Sequence, residues 1–400
     1  MSKPKVGTAQ DLDVQMVEFV ASLARAGYAR STLYGNKRLI TPFIRWVREV
    51  GLGSENIDEA CLDAFLACPV RRRYGHRSAL QRFVQHLRLA GVVPQLRLEL
   101  SPTEVLVKRY VAHLREEQGL SLHSVNVYLQ YVRPFVVAQG LPENGATLDA
   151  LGIRRHLLSQ SRNRSESVVR LLAAALRSFL RFCYFDNITA TNLSPVVMPV
   201  RRSQLATVPR FLSAVEVERV IAASDRSTAR GCRAFAILLL LARLGLRASE
   251  IICLELEDIR WESGEIVIRG KGQVIDRLPL LADVGDALAQ YLTTARGPSR
   301  SRRVFLRRIA PRVGLSQPAD VSKIAREALQ RAGLLPPGRV GAHIFRHSLA
   351  TRMIRSGAAL AEISQVLRHR SLGTTELYTK VELEGLRGVA LPWPRAEVAR

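Results

Sequence analysis

The sequence contains few cysteines, and their spacing argues against two classes of structural site. The chain has five cysteines among 400 residues, and no two of them form a CxxC pair. Disulfide frameworks and zinc sites need cysteines in paired, recognisable spacings. We therefore expect buried free thiols in a reducing cytoplasm, at Cys61, Cys68, Cys183, Cys232 and Cys253.

The sequence also lacks a long apolar segment. The apolar run at residues 235–242 is far shorter than the roughly 20 residues that a membrane-spanning helix needs, so we expect a core helix there. The first eleven residues lack the apolar stretch of a signal peptide. Neither a Walker loop nor a metal-ligand cluster is present in the sequence, so we expect no cofactor and no metal. These absences predict a cytoplasmic protein without membrane contact.

Basic residues, in contrast, are abundant. The chain has 59 Lys and Arg against 35 Asp and Glu, a formal net charge of +24. Such an excess most often indicates a nucleic-acid partner and less often an anionic membrane surface, although free use of Arg in a high-GC genome is an alternative. An apolar fraction of 47% excludes a disordered basic tail. At about 100–200 residues per domain, the length predicts two to four domains.

The first half of the chain contains an internal repeat. A glycine followed 15 residues later by a Pro-Phe pair occurs twice, at an offset of 92 residues. This predicts two tandem helical domains, over residues 1–95 and 102–192, with a chance match as the alternative. The matched positions are Gly27 with Gly119, Pro42 with Pro134 and, at an offset of 96, Phe83 with Phe179.

A third domain is expected over residues 205–400, after a proline-interrupted linker that carries Arg201 and Arg202. Two β-rich runs, at 265–268 and 274–278, flank Gly-Lys-Gly and predict a hairpin with Lys271 at or beside its tip. A lysine in a turn is ordinarily only a soluble turn residue, so Lys271 alone would indicate little.

A glycine-containing corner follows the apolar run. Gly245 should end or bend that helix, and Ser249 and Glu250 suit the start of the next helix, expected over residues 251–256. Arg247 falls at the corner, where its side chain can project from a rigid scaffold. An ion pair of Arg247 with Glu250 or Glu255 is the alternative.

The segment 341–352 has the sequence GAHIFRHSLATR and places cations at a helix start. His343 is expected near the helix N-terminus, with Arg346 on the same face and His347 beside it. Positive charge there opposes the helix dipole, so an anion is expected, and phosphate at a helix N-terminus is the standing candidate. The arginine fork binds phosphate oxygens in pairs.

A further segment begins at Leu367 and ends at Tyr378. His369 precedes a Ser-Leu-Gly turn, and two threonines can open the helix that carries Tyr378. A lone tyrosine in a helix is more often a core or surface residue than a catalyst.

Considered together, these segments resemble the tyrosine recombinase (phage integrase) family. The resemblance covers residues 205–385 strongly and the helical region before it more weakly. Two departures are Arg368, where the family usually has Gly, and Leu244, where Thr is common. Arg368 is expected either to alter the loop that aims His369 or to add a phosphate contact, and Ile344 and Phe345 should pack inward. The six positions that match the family's active site are Arg247, Lys271, His343, Arg346, His369 and Tyr378.

The resemblance implies a mainly α fold with a small β-hairpin or sheet, arranged as a multi-domain DNA clamp with tandem SAM-like helical domains and a catalytic domain. It implies that Tyr378 attacks a DNA phosphate to form a 3′-phosphotyrosyl link, while Arg247 and Arg346 hold the non-bridging oxygens. Lys271 would protonate the leaving 5′ oxygen, His343 would handle the tyrosine proton, and His369 would donate to the phosphate. No metal or ATP is required.

The implied partners are double-stranded DNA and three further copies in a homo-tetrameric synaptic complex, with sister recombinases or accessory proteins as an open question. The protein would then lie in the bacterial cytoplasm, on the nucleoid when bound. Mobile-element integration or transposition is favoured over chromosome dimer resolution. Rival interpretations are a non-catalytic DNA-binding regulator of the same fold and a type IB topoisomerase. Candidate DNA-binding residues are Arg201, Arg202, Arg243, Arg368 and His347.

Overall fold

The computed structural model describes residues 11–67, 76–94, 100–142, 148–200, 210–270, 275–338 and 340–368. Contacts group the chain into two compact units, one of residues 1–95 with 208–400 and the other of residues 96–207. The described residues are mostly helical with one small antiparallel sheet, which confirms the predicted fold class. The division into three domains stays a prediction.

In the N-terminal part of the first unit, the described residues include four α-helices around an aromatic core. The rings of Phe43 and Phe65 meet edge to face at 5.3 Å between centroids, and Phe19 and Phe83 do so at 5.6 Å. One side of the second helix, with Ile40, is fully buried against this core, because its apolar residues recur at helical spacing. The helices are α1 (Asp11–Arg25), α2 (Arg30–Glu49), α3 (Glu59–Ala67) and α4 (His76–Leu89).

The described residues of the second unit include four α-helices. Tyr110, Phe135 and Phe179 are fully buried at its centre. The first helix starts where Ser101 accepts a hydrogen bond from the Glu104 amide, with a proline in the first turn. The helices are α5 (Pro102–Ala112), α6 (Leu122–Ala138), α7 (Ala150–Ser161) and α8 (Glu166–Phe185).

The matched residues of the internal repeat occupy equivalent local structures. Gly27 and Gly119 both have a positive φ, of 85° and 61°, in the loop before α2 and α6. Pro42 and Pro134 lie inside those two helices. The two segments therefore share a scaffold on which their surfaces can be compared.

The rest of the first unit surrounds helix α10 (Ala229–Arg243), which is buried on almost every side and confirms the core helix predicted at residues 235–242. Leu315, Phe305 and Phe345 belong to the same core. The helices are α9 (Ala214–Ala222), α10 (Ala229–Arg243), α11 (Ala248–Cys253), α12 (Ala282–Gln290), α13 (Pro318–Arg331), α14 (His343–Arg355) and α15 (Leu360–Val366).

The predicted hairpin is present as two strands of a three-stranded sheet. Strands β2 (Glu265–Arg269) and β3 (Ile275–Pro279) are antiparallel, with Val267 opposite Arg277. The sheet has a further edge strand that was not predicted, β1 (Ile259–Arg260). Lys271, expected at the hairpin tip, lies outside the described residues.

The predicted helix at residues 251–256 is wrong in its bounds. The structure begins α11 three residues earlier, at Ala248, and ends it at Cys253. The reason is that the Glu250 carboxylate accepts the Arg247 backbone N–H at 2.8 Å, which fixes Arg247 as the residue that caps the helix.

Two absences concern only the part of the chain that the structure describes. None of its helices combines the length and the apolar character needed to cross a membrane. Its cysteines are free thiols, of which Cys253 is partly exposed and the other three are buried. Cys68 lies outside the described residues.

Candidate active site

The corner after α10 is built around a glycine that no other residue can replace without strain. Gly245 has a φ of 57°, a left-handed conformation that favours glycine. A Cβ atom at this position would lie 2.8 Å from a methyl carbon of Leu367 and 2.9 Å from one of Leu349. The corner can therefore press directly against α14 and the end of α15.

The Arg346 side chain joins this corner to the turn after α15. Arg346 lies in the first turn of α14 and is 3% exposed. Its Nη1 donates to the Gly245 carbonyl at 2.5 Å, and its Nη2 donates to the Leu367 carbonyl. The guanidinium is therefore fixed by backbone groups from two sequence-distant segments.

Arg247 contacts the same turn from the other side. Its Nη2 donates to the Arg368 carbonyl at 3.0 Å, and its Nη1 donates to Glu250 Oε1 at 2.7 Å. The ion pair with Glu250 that the sequence allowed as an alternative is thus present. It leaves the Arg247 side chain 33% exposed, so the guanidinium remains accessible to a further anion.

Glu250 is a buried carboxylate that serves both neighbouring arginines. Its Oε2 accepts the Arg247 backbone N–H and Arg368 Nη2, the latter at 2.9 Å. Burial would raise its pKa, but the charge of Arg368 and the hydrogen bonds from Arg247 outweigh burial and hold the pKa below its usual value. The sequence indicated Glu250 as a helix-start residue and as an alternative ion-pair partner of Arg247, but not as a carboxylate that Arg368 shares.

Arg368 was predicted as a DNA contact or as a residue that shapes the loop before His369. The structure favours the second alternative, because the side chain is only 7% exposed and is paired with Glu250. Its φ of 55° is the conformation that suits the glycine usual at this position in the family. The buried ion pair holds a non-glycine residue in that conformation.

His343 begins α14, as predicted, and remains accessible to solvent. Loss of water around part of its ring, together with the charges of Arg346 and Arg247, lowers its pKa. The ring of His347 lies 6.3 Å away, centroid to centroid. The lowered pKa values favour the neutral form of both imidazoles at pH 7 in the protein without a bound anion.

Arg243, another predicted DNA contact, is engaged by two carboxylates. Its Nη1 donates to Glu218 at 2.5 Å and its Nε donates to Asp283 at 2.7 Å. The two negative charges argue against a phosphate contact in this conformation.

The structure thus brings together Arg247, His343 and Arg346 at one corner. In the described parts of the chain, no cluster of three or more His, Cys, Asp and Glu converges as a metal ion would require. Five further predicted site residues lie outside the described residues, namely Lys271, His369, Tyr378, Arg201 and Arg202.

Acidification is expected to destabilise the protein through His347. Burial, and then the neighbouring His343 and Arg346, lower its pKa from 6.5 to about 4. The unfolded chain then binds more protons below pH 6.5, so the free energy of unfolding should fall by about 2 kcal/mol between pH 7 and pH 5. Urea unfolding at both pH values should show a correspondingly smaller decrease in the free energy of unfolding for His347→Gln. Equal decreases in the two proteins would contradict this role.

The Arg368→Gly protein is expected to be more stable than the Arg368→Ala protein. Both substitutions remove the pair with Glu250, but only alanine keeps the steric strain of a positive φ. The free energy of unfolding, measured in urea, should therefore be about 1 kcal/mol higher for Arg368→Gly than for Arg368→Ala. The matched control is the exposed Arg352 inside α14. There the Arg352→Gly protein should have a free energy of unfolding about 1 kcal/mol lower than that of Arg352→Ala. The same order at both positions would argue against the left-handed conformation of Arg368.

Comparisons with known proteins agree with this geometry. Residues 210–384 match the model of the phage integrase family. The chain is 36% identical to “Putative integrase/recombinase y4rA” of Sinorhizobium fredii, over 98% of this chain and 97% of that protein. It is 31% identical to “Tyrosine recombinase XerA” of Thermococcus onnurineus, over 70% of this chain and 93% of the relative.

The fold is also shared with a solved structure. The XerH site-specific recombinase bound to palindromic difH substrate matches with a TM-score of 0.53 and 21% identity, over 73% of this chain and 97% of that one. The family match includes every segment that forms the corner around Arg247 and Arg346. The chain therefore belongs to the phage integrase family and is a tyrosine site-specific recombinase.

Proposed function

We propose that the protein cleaves and rejoins double-stranded DNA through a 3′-phosphotyrosyl intermediate formed by Tyr378. One observation carries the proposal. Arg247 and Arg346 come from segments 99 residues apart, yet both donate to the backbone of one turn, Leu367 and Arg368, directly before His369. Two guanidiniums fixed at one point suit a single phosphate with two non-bridging oxygens.

The proposed reaction forms one phosphorus–oxygen bond for each one that it breaks. The Tyr378 oxygen attacks phosphorus and forms a P–O bond while the bond from phosphorus to the 5′ oxygen breaks. Lys271 supplies the proton that the leaving oxygen takes, and His343 accepts the tyrosine proton. Reversal by another 5′-hydroxyl rejoins the strand, so no ATP is consumed. His369 completes the site as a donor to the phosphate.

The described side chains fit these roles. Arg346 is held rigidly before the reaction starts, and such pre-oriented donors stabilise developing charge most effectively. The lowered pKa of His343 keeps its ring neutral at pH 7, the form that can accept a proton. Glu250 balances part of the positive charge without occupying the exposed side of Arg247.

We further propose the three domains at residues 1–95, 102–192 and 205–400 and a homo-tetramer on two DNA duplexes inside the bacterial cytoplasm. The near full-length match to a protein named as an integrase/recombinase supports a role in a mobile element. The solved relative bound to a palindromic substrate supports duplex DNA with inverted symmetry as the target.

The test is to sequence the DNA that flanks the gene, search it for inverted repeats, and attempt covalent trapping on nicked duplexes that carry them. The nick lets the released fragment diffuse away, so a cleaving enzyme stays attached to DNA in EDTA and without ATP. We expect a detergent-stable adduct that maps by mass spectrometry to Tyr378, and none from Tyr378→Phe at equal DNA binding. Binding by the wild type without any adduct would favour the non-catalytic regulator. Relaxation of plasmids that lack the site would favour the topoisomerase.

A further inference from the structure

Helix α2 exposes a row of four basic residues and one tyrosine that neither its core nor the active site uses. We call this row the α2 stripe; at 3.6 residues per turn its members fall within about 100° of the helix circumference, along about 22 Å. The opposite side of α2 is buried, with Ile40 and Phe43 fully enclosed. The side chains of the stripe therefore face solvent. The stripe consists of Arg30, Tyr34, Lys37, Arg38 and Arg45, all exposed.

The four cations of the stripe lack acidic partners. Within the described residues, no carboxylate pairs with any of them, whereas other arginines of the same helical segment are paired. Arg48 contacts Asp13, and Arg88 contacts Glu59 at 2.9 Å. Positive charge is therefore left uncompensated on this one face of α2.

The internal repeat provides a control for what the scaffold itself requires. Helix α6 is the counterpart of α2 at an offset of 92 residues. It folds with neutral residues at the positions of all four cations, so the shared scaffold does not need them. The counterparts of Arg30, Lys37, Arg38 and Arg45 are Leu122, Leu129, Gln130 and Val137.

The chemistry of the stripe fits a duplex backbone. B-DNA carries one charge per about 1.7 Å, so a cationic row about 22 Å long faces several phosphates. Tyr34, 69% exposed between the cations, adds an aromatic face and a hydroxyl donor beside them. A membrane-surface helix would instead present apolar residues outward, and the apolar side of α2 is buried in its own core.

We propose that the α2 stripe is a second DNA-binding site, which contacts backbone phosphates without reading sequence. It is separate from the residues that act at the cleaved bond. The inference rests on the proposed function only in taking duplex DNA as the ligand.

The test measures how the affinity of the full chain for a 60-base-pair duplex depends on salt. A neutral variant changes Arg30, Lys37, Arg38 and Arg45 to Gln. The slope of log affinity against log salt is negative, and each lost phosphate contact reduces its magnitude by about 0.9, so the magnitude should fall by about 3 to 4. A matched variant exchanges Arg for Lys and Lys for Arg at the same positions and should keep the wild-type slope.

Other outcomes separate this proposal from its rivals. An unchanged slope in the neutral variant, or an equal fall in the charge-keeping variant, would overturn it. Loss of binding to anionic phosphatidylserine vesicles, with DNA binding intact, would assign the stripe to a membrane. If the neutral variant unfolds earlier in urea, the Lys37→Gln, Arg45→Gln double variant should still reduce the magnitude of the slope by about 2. Covalent trapping at saturating DNA should survive in the neutral variant, and its absence in the wild type would refute only the proposed function.

Discussion

An Arg346→Gln enzyme is expected to bind its DNA site but to cleave it about 10²–10³-fold more slowly than the wild type, because removing one pre-oriented donor to a developing negative charge raises the barrier by about 3–4 kcal/mol. Glutamine is neutral and cannot donate to the Gly245 and Leu367 carbonyls while also facing a phosphate. The measurement is the single-turnover rate of adduct formation on the nicked duplex at saturating protein.

Two further variants identify the cause of that loss. Arg346→Lys keeps the charge but removes the planar fork, so it should remain far below the wild-type rate. Arg352→Gln removes an exposed cation from the same helix, and its rate should stay within about twofold, as surface changes away from a site usually do. Cleavage by Arg346→Gln at the wild-type rate would show that this guanidinium does not contact the transferred phosphate.

Local patterns in the sequence were sufficient for much of the fold. The apolar run inside α10, the β-rich segments around Gly-Lys-Gly and the position of His343 at the start of α14 depend only on neighbouring residues. The two-residue strand β1 has no such pattern, since alternation cannot be recognised over two positions. The start of α11 was misjudged because Arg247 is an unusual capping residue.

The charge partners that lie far apart along the chain could not be predicted from the sequence. Glu250 and Arg368 are 118 residues apart, and only the tertiary fold brings them within 2.9 Å. Arg243 was expected to face DNA, yet its partners Glu218 and Asp283 come from other helices. Composition predicts that a chain with excess arginine binds an anion, but the fold decides which arginines are free to do so.

Glu250→Gln is expected to destabilise the protein strongly. The substitution keeps the shape of the side chain but leaves the guanidiniums of Arg247 and Arg368 without their shared carboxylate, and breaking a buried ion pair in this way costs about 3–5 kcal/mol. The lowered pKa means that the wild-type contribution is complete above the usual glutamate pKa and is lost only as pH falls below it. Urea unfolding at pH 7 measures the difference.

The matched control is Glu255→Gln, which removes a partly exposed carboxylate from surface pairs with Arg269 and Arg303 and should cost no more than about 1 kcal/mol. Adding Arg368→Met to Glu250→Gln removes the second buried charge as well, so the double variant should regain part of the lost stability. No recovery, or a loss for Glu250→Gln as small as that for Glu255→Gln, would mean that the buried carboxylate does not anchor the corner. Because Arg247 takes its orientation from Glu250 and from the Arg368 carbonyl, we expect the cleavage rate of Glu250→Gln to fall even under conditions where the protein remains folded.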